Sequence, residues 1–166
     1  MALPRRPRAR AGALALAAAV VVVVVVAGGC GSSTGAGNRY VDQLNSAQRQ
    51  FAAAVARMPG ALAPGRVSNA NPASTGSFAA AYGHALAAVI ARLRALRPPS
   101  NVAGLHRQLI DQLASYGAAV SAAIPGLSAP DRATRLGARQ RLLGAVQLVD
   151  AKITRTLNAI NTRLQR

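Results

Sequence analysis

The apolar residues of this chain recur at helical spacing, and no stretch alternates as a strand would. From about Asn38 to Met58, the residues Val41, Leu44, Phe51, Val55 and Met58 form one stripe, with Tyr40 and Ala47 beside it. Pro59 and Gly60 stop this segment, and residues 59–73, with three prolines and two glycines, read as a loop. A second helix is predicted over 74–96, its stripe running through Phe78, Tyr82, Ala85, Val89, Leu93 and Leu96 before Arg97-Pro98-Pro99 ends it. Ser100 or Asn101 can cap a third helix over 101–124. Its stripe is Val102, Leu105, Leu109, Leu113, Tyr116, Val120 and Ile124, and Pro125-Gly126 closes it. Ser128 followed by Asp131 resembles a capping box with aspartate in place of glutamate, and Pro130 suits a first turn. From there a fourth helix over 129–165 runs through Leu136, Leu143, Val146, Ile153, Leu157, Ile160 and Leu164. Gly137 and Gly144 weaken its first half by about 1 kcal/mol each relative to alanine, which predicts a kink or a frayed start. Four amphipathic segments with short later connections predict an all-α, antiparallel up-down four-helix bundle spanning 38–166. Its alanine-rich stripes should bring helix axes to the lower end of the roughly 8–10 Å range.

The first thirty residues follow a different pattern. Arg5, Arg6, Arg8 and Arg10 make a positive start, and Ala11–Ala27 is an uncharged run of alanine, leucine and valine with one glycine. Gly28 and Gly29 then precede Cys30, the only cysteine, and GSSTGAG follows. This is the three-part layout of a secretory signal. With its small residues ahead of a cysteine, the segment resembles the lipobox signal of a bacterial lipoprotein. The best-matched positions are Gly29 and Cys30; Ala27 stands where leucine is commoner. The resemblance covers about the first thirty residues. It implies that residues 1–29 are removed and that the Cys30 thiol carries a diacylglyceryl group. Residues 30–37 would then be the lipidated cysteine and a flexible linker, and 38–166 a bundle held on the extracytoplasmic face of the cell membrane. An uncleaved span needs about 20 apolar residues, which Ala11–Gly29 approaches, but such a span gives no reason for the cysteine to end it. Simple secretion would use an A-x-A-like site, and none closes the run cleanly.

The part after the signal suits one domain. With no second cysteine its stability rests on packing. The chain carries +16, and four of its arginines precede Cys30, so +12 stays on the remainder. Lys152 is the only lysine; the acids are Asp42, Asp111, Asp131 and Asp150, and there is no glutamate. Such a surface attracts anionic lipid, anionic wall polymer or an acidic envelope protein. Nucleic acid fits least: aromatics for base stacking are scarce and no binding motif is present. Arginine in place of lysine, with abundant alanine, is also what a high-GC genome produces, and the composition is similar to that of small lipoproteins from such bacteria.

Few residues are equipped for chemistry. At about 100° per residue, Asp42, Asp111 and His84 point away from their helices' apolar stripes. His106 lies about 50° from the centre of its stripe and should flank the core. Asp150 falls between Leu143 and Leu157 on the apolar side of the fourth helix, where a carboxylate is costly unless hydrogen-bonded or paired. It is expected either in a satisfied buried pair with a tyrosine or arginine, or as a ligand contact inside the bundle. No metal site is expected, because converging ligands are missing and the di-iron pattern needs glutamate. Ser115 and Asp111 share a face without histidine, and no G-x-S-x-G occurs. The expectation is therefore a protein that is not an enzyme and needs no cofactor.

An up-down topology also sorts the arginines. Arg39, Arg92, Arg94, Arg97, Arg107, Arg163 and Arg166 would gather at the pole next to Cys30, facing membrane headgroups, each contributing about 1 kcal/mol near an anionic surface. Arg132, Arg135, Arg139 and Arg141, with Arg57 and Arg66, would form a distal pole; there they oppose a helix macrodipole and are candidates for binding a polyanion or acidic partner. The leading expectation is a membrane-anchored lipoprotein binding an envelope protein, anionic polymer or lipid. The alternative is a carrier of a small ligand in the bundle, using Asp150, His106 and tyrosines. A closed core with Asp150 paired speaks against the carrier; an open cavity lined by Asp150 and tyrosines speaks for it.

Overall fold

The computed structural model describes residues 34–58 and 72–165. The signal segment, Cys30, the 59–71 stretch with Arg66, and Arg166 lie outside the described residues. Within them the chain is all-α, with four long helices and no strand: α1 (Thr34–Ala56), α2 (Pro72–Ala95), α3 (Ala103–Leu127) and α4 (Arg132–Leu164), plus a 3-10 turn at Ser100–Val102. This is the four-helix class that the apolar spacing predicts. No helix among the described residues is long and apolar enough to cross a membrane.

Most boundaries shift by one to four residues from expectation, three of them for a clear local reason. Helix α1 starts at Thr34, so a full turn of the expected 30–37 linker is helical. Gly37 is buried there, and a Cβ on it would make an ordinary 3.6 Å contact with the Leu164 side chain, so the start of α1 lies beside the end of α4. Helix α3 absorbs Pro125 into its last turn and ends at Leu127, whose side chain is buried against a small cluster with Ala79 and Ala138. Ser128 does not cap α4. Asp131 does, its Oδ1 accepting the Thr134 backbone N–H at 2.7 Å. Helix α4 then continues unbroken through Gly137 and Gly144.

The main core joins Tyr40, Leu44 and Ala47 of α1 to Leu86, Ile90 and Leu93 of α2, with Leu109, Ile110, Ile153 and Ile160 from the later helices. Helix α2 packs on both α1 and α3, so it needs two apolar faces. Of the predicted stripe, Phe78, Tyr82 and Val89 are half-buried and Leu93 is fully buried, while Ala79, Leu86 and Ile90 beside it are buried as well. Leu136, expected on the α4 stripe, is 48% exposed, because α4 packs broadly on α3 alone. One pole joins Gly37 to Leu164, and Asn101 to Arg163 through two hydrogen bonds of 3.1 and 3.2 Å. At the other, Gly76 abuts Ser128 and Gly126 abuts Ala138.

The packing order is α1 on α2, α2 on α3 and α3 on α4; α1 and α4 do not pair along their length. The bundle is therefore open along one seam.

The helix crossing at Gly126 and the open site at Gly144 make a paired test. A Cβ at Gly126 would stand 2.6 Å from the Ala138 Cβ, whereas one at Gly144 meets nothing within 4 Å. Gly126→Ala should lower stability by about 1–3 kcal/mol through overpacking, and Gly144→Ala should raise it by up to about 1 kcal/mol. Thermal unfolding followed by circular dichroism reads both, and equal shifts for the two would refute this account of the α3–α4 contact.

Candidate functional site

The open seam holds a cleft of about 120 Å³ to which all four helices contribute. Its walls are aliphatic: Leu44 and Ala47 from α1, Leu86 and Val89 from α2, Leu109 and Leu113 from α3, and Val149, Ile153 and Leu157 from α4. This volume is close to the roughly 150 Å³ of an apolar cavity able to admit benzene, and here the site is also open along the seam.

Aromatic side chains line one side. The chain has two phenylalanines and three tyrosines, and four of these five meet here. Phe51 of α1 stands edge-on to Tyr82 of α2 at 5.4 Å, and Tyr82 edge-on to Tyr116 of α3 at 5.9 Å. Phe78 lies behind Tyr82 at 6.3 Å. These are favourable aromatic separations. The Tyr116 hydroxyl donates to that of Tyr82 at 3.1 Å. Burial pushes the Tyr82 hydroxyl far above its ordinary value, and the neighbouring Tyr116 adds to the rise. Tyr116 is also pushed up, chiefly by burial, and the Asp150 charge raises it further.

Asp150 is exposed, not buried, and it sits among the lining residues of the cleft. The wheel angle correctly turns it toward the bundle axis. However, α1 does not close over that side of α4, so the position faces an opening and the carboxylate keeps its water. No buried pair with an arginine forms. Asn45 and Gln48 of α1 also line the cleft, half-buried.

His106 is not in the cleft. It is more deeply placed than a core-flanking position, at 4% exposure. Its Nε2 lies 3.0 Å from the Leu93 carbonyl and its Nδ1 2.9 Å from the Tyr40 hydroxyl. A carbonyl only accepts, so Nε2 holds the proton and Nδ1 accepts from Tyr40. Burial pulls the His106 pKa below 6.5, with the Leu93 bond opposing, and pushes the Tyr40 hydroxyl up to about 12. This tie links three helices. Its signal in the sequence is one tyrosine and one histidine within the first two turns of two helices whose starts lie together.

The arginine clusters divide. Arg39 and Gln43 of α1 and Arg97, just after α2, line a second cleft. Arg92, Arg94 and Arg107 are exposed nearby, whereas Arg163 is fastened to Asn101. At the distal pole, the Arg135 Nη1 donates to the Ala129 and Pro130 carbonyls at 2.8 and 2.6 Å, so it holds the α3–α4 turn and is not presented to an outside partner. Arg132 and Arg141 are exposed and Arg139 is half-buried. Asp42, Asp111 and His84 are exposed, as their wheel angles imply. Ser115 donates to the backbone carbonyl of Asp111 at 2.9 Å, not to its carboxylate. Among the described residues, no three His, Cys, Asp or Glu side chains come together. Comparison with protein-family models, curated proteins and solved structures finds no match for this chain.

The His106 tie predicts a pH dependence. Because the folded pKa lies below 6.5, the unfolded chain binds more protons in the window between the two values. Stability is then complete well above 6.5 and is lost as pH falls below it toward the folded value. Unfolding temperature should drop between about pH 7.5 and about pH 5.5, and His106→Gln should flatten that slope. Tyr40→Phe leaves Nδ1 without a donor and should cost about 1–3 kcal/mol at neutral pH. A flat profile in the native protein would rule out the neutral, buried imidazole.

Proposed function

We propose that this protein is a membrane-anchored, extracytoplasmic lipoprotein that binds a small apolar or amphiphilic ligand in the cleft between α1 and α4, without catalysing a reaction on it. The observation that supports this reading is the unsealed seam. A bundle whose only task is to be stable gains by closing α1 onto α4, since each buried aliphatic side chain contributes about 1.5–3 kcal/mol. Here leucines, valines and most of the chain's aromatics instead border an opening. Among the described residues the lining holds no histidine, cysteine, serine, threonine or lysine, so these residues offer hydrogen-bonding and apolar groups to hold a ligand and no serine, threonine or cysteine nucleophile beside a base. The cleft thus favours the carrier over the binder of acidic protein or wall polymer. In this reading the exposed Arg39, Arg92, Arg94 and Arg97 orient the domain on anionic headgroups.

An uncharged decyl chain carrying a diazirine tests the cleft. With the full-length protein in bilayer discs, photolabel should concentrate on Phe51, Val149 and Leu157, and not on the outward-facing Leu148, which is 69% exposed. Val149→Trp or Val146→Trp, which fill the space, should reduce labelling about fivefold or more while leaving the helical spectrum intact, the scale expected for losing one good apolar contact. Label spread evenly over apolar surface would end the carrier reading.

The anchor has a separate test. Cys30→Ala should abolish incorporation of labelled acyl chains and leave an unprocessed precursor in the membrane. A variant processed and retained just like the native protein would show that Cys30 is not the anchor.

A further inference from the structure

The charge of the cleft is opposite in sign to that of the molecule. The chain carries +16, yet among the described residues no arginine or lysine lines the cleft, and the single charged group in its lining is the Asp150 carboxylate. Each helix also contributes neutral polar atoms or this acid: Asn45 and Gln48 from α1, Tyr82 from α2, Tyr116 from α3 and Asp150 from α4. Asn45 and Gln48 are half-buried, and their side chains make no hydrogen bond with the described residues. In the tyrosine pair one hydroxyl donates to the other, so the Tyr82 O–H still has its own proton to give. The Asp150 carboxylate stands close enough to this pair to act on the Tyr116 hydroxyl.

Resting on the carrier reading above, we propose that the cleft selects amphiphiles with a cationic or hydroxyl head group and discriminates against carboxylate head groups, with Asp150 as the selecting residue. An ammonium head gains the attraction of Asp150 and can donate to Gln48 or Asn45. An alcohol accepts the remaining Tyr82 proton and donates to the carboxylate. A fatty carboxylate accepts from Tyr82 but brings a second negative charge beside Asp150, with no cation in the lining to offset it. The expected order is amine, then alcohol, then carboxylate. It is the reverse of the order that net charge alone would set.

The test uses the full-length protein in discs of uncharged lipid, labelled with decylamine, decanol and decanoate, each bearing the same diazirine at the tail. Label mapped to Phe51, Val149 and Leu157 is normalised to label in the surrounding lipid. The amine should exceed the carboxylate by about tenfold at low salt, a ratio typical of one partly solvated charge pair, and the margin should shrink as salt screens it. Asp150→Asn, a change at an exposed site, should bring the two within about threefold while the unfolding temperature stays near its native value. Equal or stronger labelling by decanoate in the native protein overturns the selectivity and leaves the apolar cleft standing. A preference that survives Asp150→Asn overturns the role of that residue. If none of the three labels the cleft, the selectivity and the carrier reading fall together.

Discussion

The geometry of this bundle hangs on how α1 is attached. Helix α1 packs along α2 only, and its hold on α3 is the Tyr40 hydroxyl, buried and bonded to His106, which in turn bonds the Leu93 carbonyl of α2. Gly37 meets Leu164 at the same pole. Further along α1, Phe51 leans on Tyr82. The helix is thus pinned at its start and propped near its end, and the seam with α4 opens between. A neutral imidazole suits this post: with one donor and one acceptor in fixed directions, it satisfies a carbonyl and a hydroxyl at once, where a charged ring would leave the Tyr40 proton to be redirected in an apolar setting.

Apolar period made the four helices legible, since Val41–Leu44–Phe51, Phe78–Tyr82–Val89 and the leucines of α3 each keep one face. Period says which side of a helix turns inward; it does not say whether a neighbour is there. Asp150 shows the difference. Its angle on α4 points to the axis as read, but the partner helix stands away, so an expected buried carboxylate is a hydrated one at a rim. Leu136 fails for the related reason that α4 has one broad neighbour. The glycines misled in the other direction: Gly35 and Gly37 look like linker, yet Gly37 is where one helix passes close to another.

The Tyr40–His106 pair was legible only in part. A histidine about 50° from its stripe signals a flanking place, and nothing local names its partner sixty-six residues earlier. That pairing depends on which helix starts share a pole. The same topology decides the arginines. Arg135 belongs to a run that reads as a basic patch, but the end of α3 leaves the Ala129 and Pro130 carbonyls without helical partners, and a guanidinium one turn into α4 is well placed to take them. Charge counted along a sequence therefore overstates what a pole can offer to a partner.

Charge and cleft then make one design. A guanidinium in an aliphatic seam would lose hydration with nothing to replace it, so arginines sit at the poles and on outward faces while the cleft lining, among the described residues, is uncharged except for Asp150. On the lipoprotein reading, the pole that begins α1 lies beside the anchor, and Arg39 and Arg97 flank its cleft. The apolar seam starts little more than one helical turn beyond, at Leu44. A molecule leaving the bilayer there would pass first through a cationic headgroup zone and then reach an apolar wall with a hydrogen-bonding edge. On that reading the cationic poles would gather the surface, and the apolar cleft would accept what the surface contains. In that arrangement the arginine excess positions the domain, and the few polar atoms inside the seam decide what it holds.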